Sequence, residues 1–136
     1  MNAIATIRSA PGLEEYLERL EARRFAKTAA PRKTLAESDT SPTSRHIPAA
    51  VRRAVHARDE DRCRFVDGDG RRCTERNWLE FHHRRPYGMG GDHGLGNISL
   101  LCRQHNRYLA EQDYGCEAIR KHRASETRSA GPPVTP

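Results

Sequence analysis

Apolar residues recur at helical spacing in three stretches of this 136-residue chain and at strand spacing in two others, with polar, glycine- or proline-containing runs between them. The run SAPGLEEYLERLEARRFAK, Ser9 to Lys27, sets Leu13, Tyr16, Leu17 and Leu20 on one face, with Pro11 near its first turn and Glu14 and Glu15 close behind. That predicts an amphipathic helix filling an N-terminal region, residues 1–29. Residues 30–45 are rich in Ser, Thr, Pro and charge without periodicity and read as a flexible linker. A second helix is predicted in HIPAAVRRAVHARDEDR, with Pro48 in its first turn, a buried stripe of Ile47, Val51, Ala54 and Val55, and Arg52, Arg53 and Arg58 on the opposite side. CRFVDGDGRRC then turns at Asp67-Gly68-Asp69-Gly70, a hairpin signal. WLEFHH, with Trp78, Leu79 and Phe81, and NISLLC read as strands flanking the glycine-rich GMGGDHGLG. RQHNRYLAEQDY reads as a helix stopped by Gly115, with a further turn or two over Glu117 to Arg123. The tail, residues 124–136, has almost no apolar content and reads as disordered. The pattern is that of a small α+β domain over residues 46–123 with flanking helices.

Composition adds a requirement for extra stability. Only 35% of residues are hydrophobic and 6% aromatic, so an apolar core alone is marginal at this size, and a structural metal is the usual remedy. The charge of +6 is carried overwhelmingly by arginine, which suits a polyanionic partner, although a GC-rich genome gives the same bias. No run is long and apolar enough to predict a membrane span, and MNAIATIRSAPG lacks the apolar core of a signal peptide, so the expected location is cytoplasmic. There, four cysteines point to metal ligands rather than disulfides.

Cys102-Arg-Gln-His105 has zinc-knuckle spacing, and Cys63 and Cys73 bracket the upstream hairpin. The four make a Cys3His set suited to a closed tetrahedral structural zinc. Cys116 is an alternative to His105 as fourth ligand, but the knuckle is the easier geometry and leaves Cys116 spare. His93, within the glycine-rich loop, reads as solvated, and His46, His56 and His122 as structural or exposed.

The run LEFHHRRP…GG…GNISLLCRQHN resembles the motif of HNH nucleases, the ββα-metal or His-Me finger fold, in its zinc-supported subtype; IPAAVRRAVHARD and RRCTER resemble the flanks of such domains. The likeness spans roughly residues 46 to 116. Carried over by position, it implies that His83 is the general base and Asn97 the middle asparagine that braces the loop. His82 and Asn106 would bind the catalytic divalent ion, with His105 left to the zinc, an HNN variant. The implied reaction is endonucleolytic hydrolysis of DNA to 5′-phosphate and 3′-hydroxyl ends, with RNA open as a substrate.

Elementary chemistry agrees with that assignment. A histidine titrates near neutral pH and can deprotonate water, and one ion held by two side chains keeps positions open for phosphate and leaving oxygen. With His82 and Asn106 as ligands, Mn2+, Ni2+, Co2+ or Zn2+ is expected to serve better than Mg2+. Neighbouring histidines on a regular strand point to opposite faces, so the strand must end or twist there. Arg84 and Arg85 are candidate phosphate contacts, with Arg71, Arg72, Arg76, Arg103 and Arg107 as candidates to extend the surface. The apolar face of helix 11–27 calls for the main domain, a protein partner or self-association. Two other classes fit the same residues: a degenerate HNH-like domain that only binds nucleic acid, and a zinc-stapled interaction module.

Overall fold

A computed structural model describes residues 11–129. Along them run α1 (Pro11–Phe25), α2 (Ala49–Asp59), β1 (Leu79–His83), a 3-10 turn (Tyr87–Met89), β2 (Ile98–Cys102), α3 (Arg103–Tyr114) and α4 (Cys116–Ser129). The class is α+β, with β1 and β2 paired antiparallel. Arg84 N–H donates to Asn97 O (2.8 Å) and Arg103 N–H to Trp78 O (3.1 Å), which fixes the register at both ends of the pair. Contacts divide the chain into two units, Met1–Asp61 with Phe81–Leu100 and Arg62–Glu80 with Leu101–Pro136.

In the first unit, Pro48 stands at the N-cap of α2, its fixed φ of −54° leading into the helix, and Glu60 closes it in a left-handed conformation. Val51, Val55 and Asp59 follow one another on the buried face with Ala50, so the predicted stripe ends in a carboxylate. Ile47 and Ala54 are half-buried. The Asp59 carboxylate accepts from Arg58 Nε (2.7 Å) and Nη2 (2.9 Å) and from Leu100 N–H (2.8 Å). Arg58 also donates to Leu95 O and Ile98 O, tying the end of α2 to the loop and to β2. Arg58 therefore does not sit on an open polar side as its helical position suggests.

Arg52 donates to the carbonyls of Arg23 and Arg24, and Arg53 to those of Ala26 and Lys33. Helix ends leave carbonyls without intrahelical partners, and these guanidinium groups supply donors at the end of α1. Phe25, buried, stacks at a tilt on His56 (4.2 Å) and edge-on to Phe81 (6.0 Å). The rest of α1 is not covered: Leu13, Tyr16, Leu17 and Leu20 are 38–57% exposed. The predicted start of that helix at Ser9 lies outside the described residues.

Residues 30–45 hold no helix or strand, but they are not a free linker. Thr34 N–H and Oγ1 both bond the Glu37 carboxylate, and the carbonyls of Thr40, Pro42 and Ser44 accept from His93 N–H, Tyr87 Oη and His93 Nε2. Composition reports the absence of an apolar face; it does not report backbone acceptors that another loop can use.

In the second unit the predicted hairpin forms, with an antiparallel bridge between Val66 and Arg72 and Gly70 at φ +80°. Trp78 departs from its predicted strand role: at φ +53° and 71% exposed it precedes β1, and Leu79 is the buried residue. Gly115 at φ +82° ends α3 as expected. Helix α4 then takes in Ala124 to Ser129, which the reading of the tail left unstructured. Lack of large apolar residues does not bar a helix, and Glu117 and Lys121 pair across one turn (3.1 Å) earlier in α4. Residues 130–136 of that tail lie outside the described residues. No helix among the described residues is long and apolar enough to cross a membrane.

Candidate metal centre and histidine loop

The second unit gathers Cys63, Cys73, Cys102 and His105, whose ligand atoms all lie within 4.8 Å of one another. His105 Nδ1 is 3.5 Å from Cys63 Sγ and 3.3 Å from Cys102 Sγ. A zinc tetrahedron with ordinary Zn–S and Zn–N bonds has edges of about 3.6–3.8 Å, so this donor set closes on one ion with small adjustments. Cys116, exposed at the start of α4, stands outside the group.

Local structure explains the convergence. The hairpin sets Cys63 and Cys73 at its base, where Cys63 N–H donates to Glu75 O and Cys73 N–H to Phe65 O. Arg62 donates to the carbonyls of Cys73 and Arg72, and Arg72 returns bonds to the carbonyls of Cys63 and Arg62. Phe65 stacks on the His105 ring at 3.9 Å and 10°, and Tyr108 meets Phe65 edge-on. Burial pushes the Cys63 thiol up to about 11, opposed by backbone hydrogen bonds from Cys102 and Phe65 and aided, to a smaller extent, by the Cys102 side chain. Metal binding would therefore release a proton there.

The first unit carries the histidines of β1. His82 is buried, 8% exposed, and His83 is partly buried. His83 Nε2 lies 3.0 Å from His93 Nδ1, and His93 Nε2 lies 2.6 Å from Ser44 O. His93 is only 1% exposed, with Tyr87 stacked on its ring at 5.6 Å and 15°. The expectation of a solvated His93 is thus overturned. A glycine-flanked histidine looks solvated locally, and its acceptor lies 49 residues upstream, beyond any motif window. Burial holds the His83 imidazole below its usual range, helped by the imidazoles of His93 and His82, while Asp92 acts in the other direction.

Asn97 braces the loop between the strands. Its Oδ1 accepts from Arg85 N–H (2.7 Å), and its Nδ2 donates to Asp92 O (2.8 Å) and Arg85 O (3.3 Å). The loop is tight enough that a Cβ on Gly91 would lie 1.8 Å from Arg85 O, so glycine is obligatory there.

The remaining candidates fall as follows. Asn106 belongs to the second unit, where its Nδ2 donates to a Glu80 carboxylate oxygen at 2.6 Å. Glu80 thus brings a formal negative charge to that position, a residue the motif reading did not single out. Arg84 and Arg85 are exposed. Arg103 sits over the exposed Trp78 ring at 5.8 Å, and Arg107 pairs with Glu111 at 2.8 Å. Arg72, another of the candidate phosphate contacts, donates to the hairpin backbone as described above.

Comparison with protein-family models, with curated proteins and with solved structures finds no match.

Proposed function

We propose that this chain is a metal-dependent endonuclease of the HNH type, with β1, β2 and α3 as its ββα-metal core, a structural zinc on Cys63, Cys73, Cys102 and His105, and DNA as substrate. The observation that carries the reading is Asn97. The resemblance asks the middle asparagine to brace the loop that follows the base, and Asn97 makes two hydrogen bonds to Arg85, two residues after His83, and one to Asp92 further along the loop. The Cys3His cluster supports it independently, since the subtype is zinc-stapled.

In this mechanism His83 takes a proton from water as the water oxygen attacks phosphorus. The P–O3′ bond breaks, leaving a 5′-phosphate, and the departing oxygen is protonated to the 3′-hydroxyl. A divalent ion supplies charge stabilisation for the phosphate and the leaving oxygen when bound. His82 is the ligand assigned to it on β1, and Asn106 enters through the resemblance alone. Arg84 and Arg85 bind neighbouring phosphates, so affinity falls steeply with salt.

Plasmid nicking by the wild type and by His83→Ala tests this, each protein keeping its zinc and receiving Mg2+, Mn2+, Ni2+ or Co2+ in turn. Cleavage by the wild type and at least a hundredfold loss in the folded variant is the expected result. A folded wild type that shifts DNA on a gel yet cuts with no metal would overturn it. The engagement of Asn106 by Glu80 favours that second reading, a domain that binds nucleic acid without cutting.

A further inference from the structure

Resting on the nuclease reading, we infer that His93 is the positioning residue for the general base, fixing both the tautomer and the orientation of His83 from the irregular segment that precedes α2. A backbone carbonyl can only accept a hydrogen bond, so the 2.6 Å contact with Ser44 O requires the hydrogen of a neutral His93 to sit on Nε2. Its Nδ1 is then an acceptor. The 3.0 Å contact with His83 Nε2 requires that His83 carry its hydrogen on Nε2 as donor. The lone pair of His83 is thereby placed on Nδ1, which is the atom that receives the proton of the attacking water.

The surroundings hold this chain of bonds in one arrangement. His93 is almost fully buried, its backbone N–H donates to Thr40 O at 2.7 Å, and Tyr87 stacks on its ring while Tyr87 Oη donates to Pro42 O at 3.3 Å. Three alternate acceptors, on Thr40, Pro42 and Ser44, therefore come from the segment read as a linker. That segment is part of the machinery that aims the base. The titratable groups acting on His83 are His93 and His82, which oppose its protonation, and Asp92, which favours it. Without His93 the His83 Nε2–H has no fixed acceptor, and the ring can rotate or exchange tautomers. A base whose lone pair points the wrong way is silent even when it is correctly placed in the chain.

The test uses the full chain with zinc bound and no second metal. Nitrogen-15 spectra of the imidazoles should show His83 protonated at Nε2 and bare at Nδ1, and His93 likewise. A His83 bearing its hydrogen on Nδ1, or a His93 protonated on both nitrogens at neutral pH, overturns the inference. In nicking assays His93→Phe, which keeps the volume but removes both polar atoms, should lower kcat by about 10- to 100-fold with KM for DNA little changed. His93→Gln, which can still accept from His83 and donate to Ser44, should recover a substantial part of that loss. Should His93→Phe fail to fold, the wild-type spectrum and the Gln variant still decide, since a Gln variant as impaired as His83→Ala would overturn the role. The two possible failures look different. A wild type that never cuts overturns the nuclease reading and any catalytic role for the pair, whereas a cutting wild type with an unimpaired His93→Phe variant overturns only the positioning role.

Discussion

The Cys3His cluster and the His83–His93 pair are built in opposite ways. The cluster is a set of sulfur and nitrogen donors with no carboxylate, brought together by a hairpin and a helix start, with contacts of 3.3–3.5 Å that could hold one metal ion. The histidine pair needs nothing added: its atoms already satisfy each other at 3.0 and 2.6 Å, in a chain that ends on a backbone carbonyl. One site is a donor set that could hold a cation, the other a hydrogen-bonded chain of side chains that ends on a backbone carbonyl. A metal should therefore govern the stability of the second unit, while the first should fold by packing and by its buried Asp59.

The largest expected effect follows from that contrast. Stripping zinc, or substituting Cys102→Ser, should abolish cooperative unfolding of the second unit, because a structural zinc contributes folding free energy of about 10–16 kcal/mol in small zinc domains. One equivalent of metal by elemental analysis, lost in Cys102→Ser and retained in Cys116→Ser, checks it. Retention of zinc in Cys102→Ser with unchanged melting would break the comparison outright.

Next in size is Asp59→Ala. It removes the acceptor of Arg58 and Leu100 N–H at a site 1% exposed, and losing one partner of a buried charge pair costs about 3–5 kcal/mol. Urea unfolding of the zinc-loaded protein should show this destabilisation with zinc content unchanged. Equal loss of zinc and stability would mean that the two regions are not independent in the way the comparison holds.

Asn97→Ala should cost less, about 1–3 kcal/mol for the unpaired Arg85 N–H and Asp92 carbonyl. Its effect on nicking should exceed its effect on stability, since the loop it braces follows His83. A variant with a lowered Tm and full cleavage would detach Asn97 from the chemistry.

What the sequence discloses tracks the range of the interactions. Cys102 and His105 are three residues apart and the spacing itself encodes a shared ligand sphere, so the metal set is legible without coordinates. Helix α2 is legible for the same reason, its apolar residues repeating within a turn or two. His93 is not, because its meaning resides in the carbonyls of Thr40 and Ser44, and a backbone acceptor leaves no trace in residue type. Trp78 misleads because size suggests burial, whereas its left-handed backbone turns the strand so that Leu79 faces inward. The same limit applies to arginine: nothing in the sequence distinguishes a guanidinium that holds carbonyls, as Arg52, Arg58 and Arg72 do, from one offered to a partner.

That last ambiguity yields the smallest and most discriminating prediction. Arg72 lies beside the cluster and gives hydrogen bonds to Cys63 O and Arg62 O, while Arg84 and Arg85 follow His83 and stand exposed. Arg72→Ala should lower stability by about 1–3 kcal/mol, through carbonyls left without donors, and leave the salt dependence of DNA binding where it was. The Arg84→Ala, Arg85→Ala double variant should do the reverse. Its melting should stay within about 0.5 kcal/mol of wild type, as surface substitutions usually do. The slope of log affinity against log salt should shrink by about 2, one released counterion for each lost phosphate contact. Electrophoretic shifts of a short duplex across a salt series measure the slope, and urea unfolding measures the stability. Identical slopes for all three proteins would place the phosphate-binding surface elsewhere, whereas a reduced slope in Arg72→Ala would mean that its guanidinium leaves the hairpin to meet DNA.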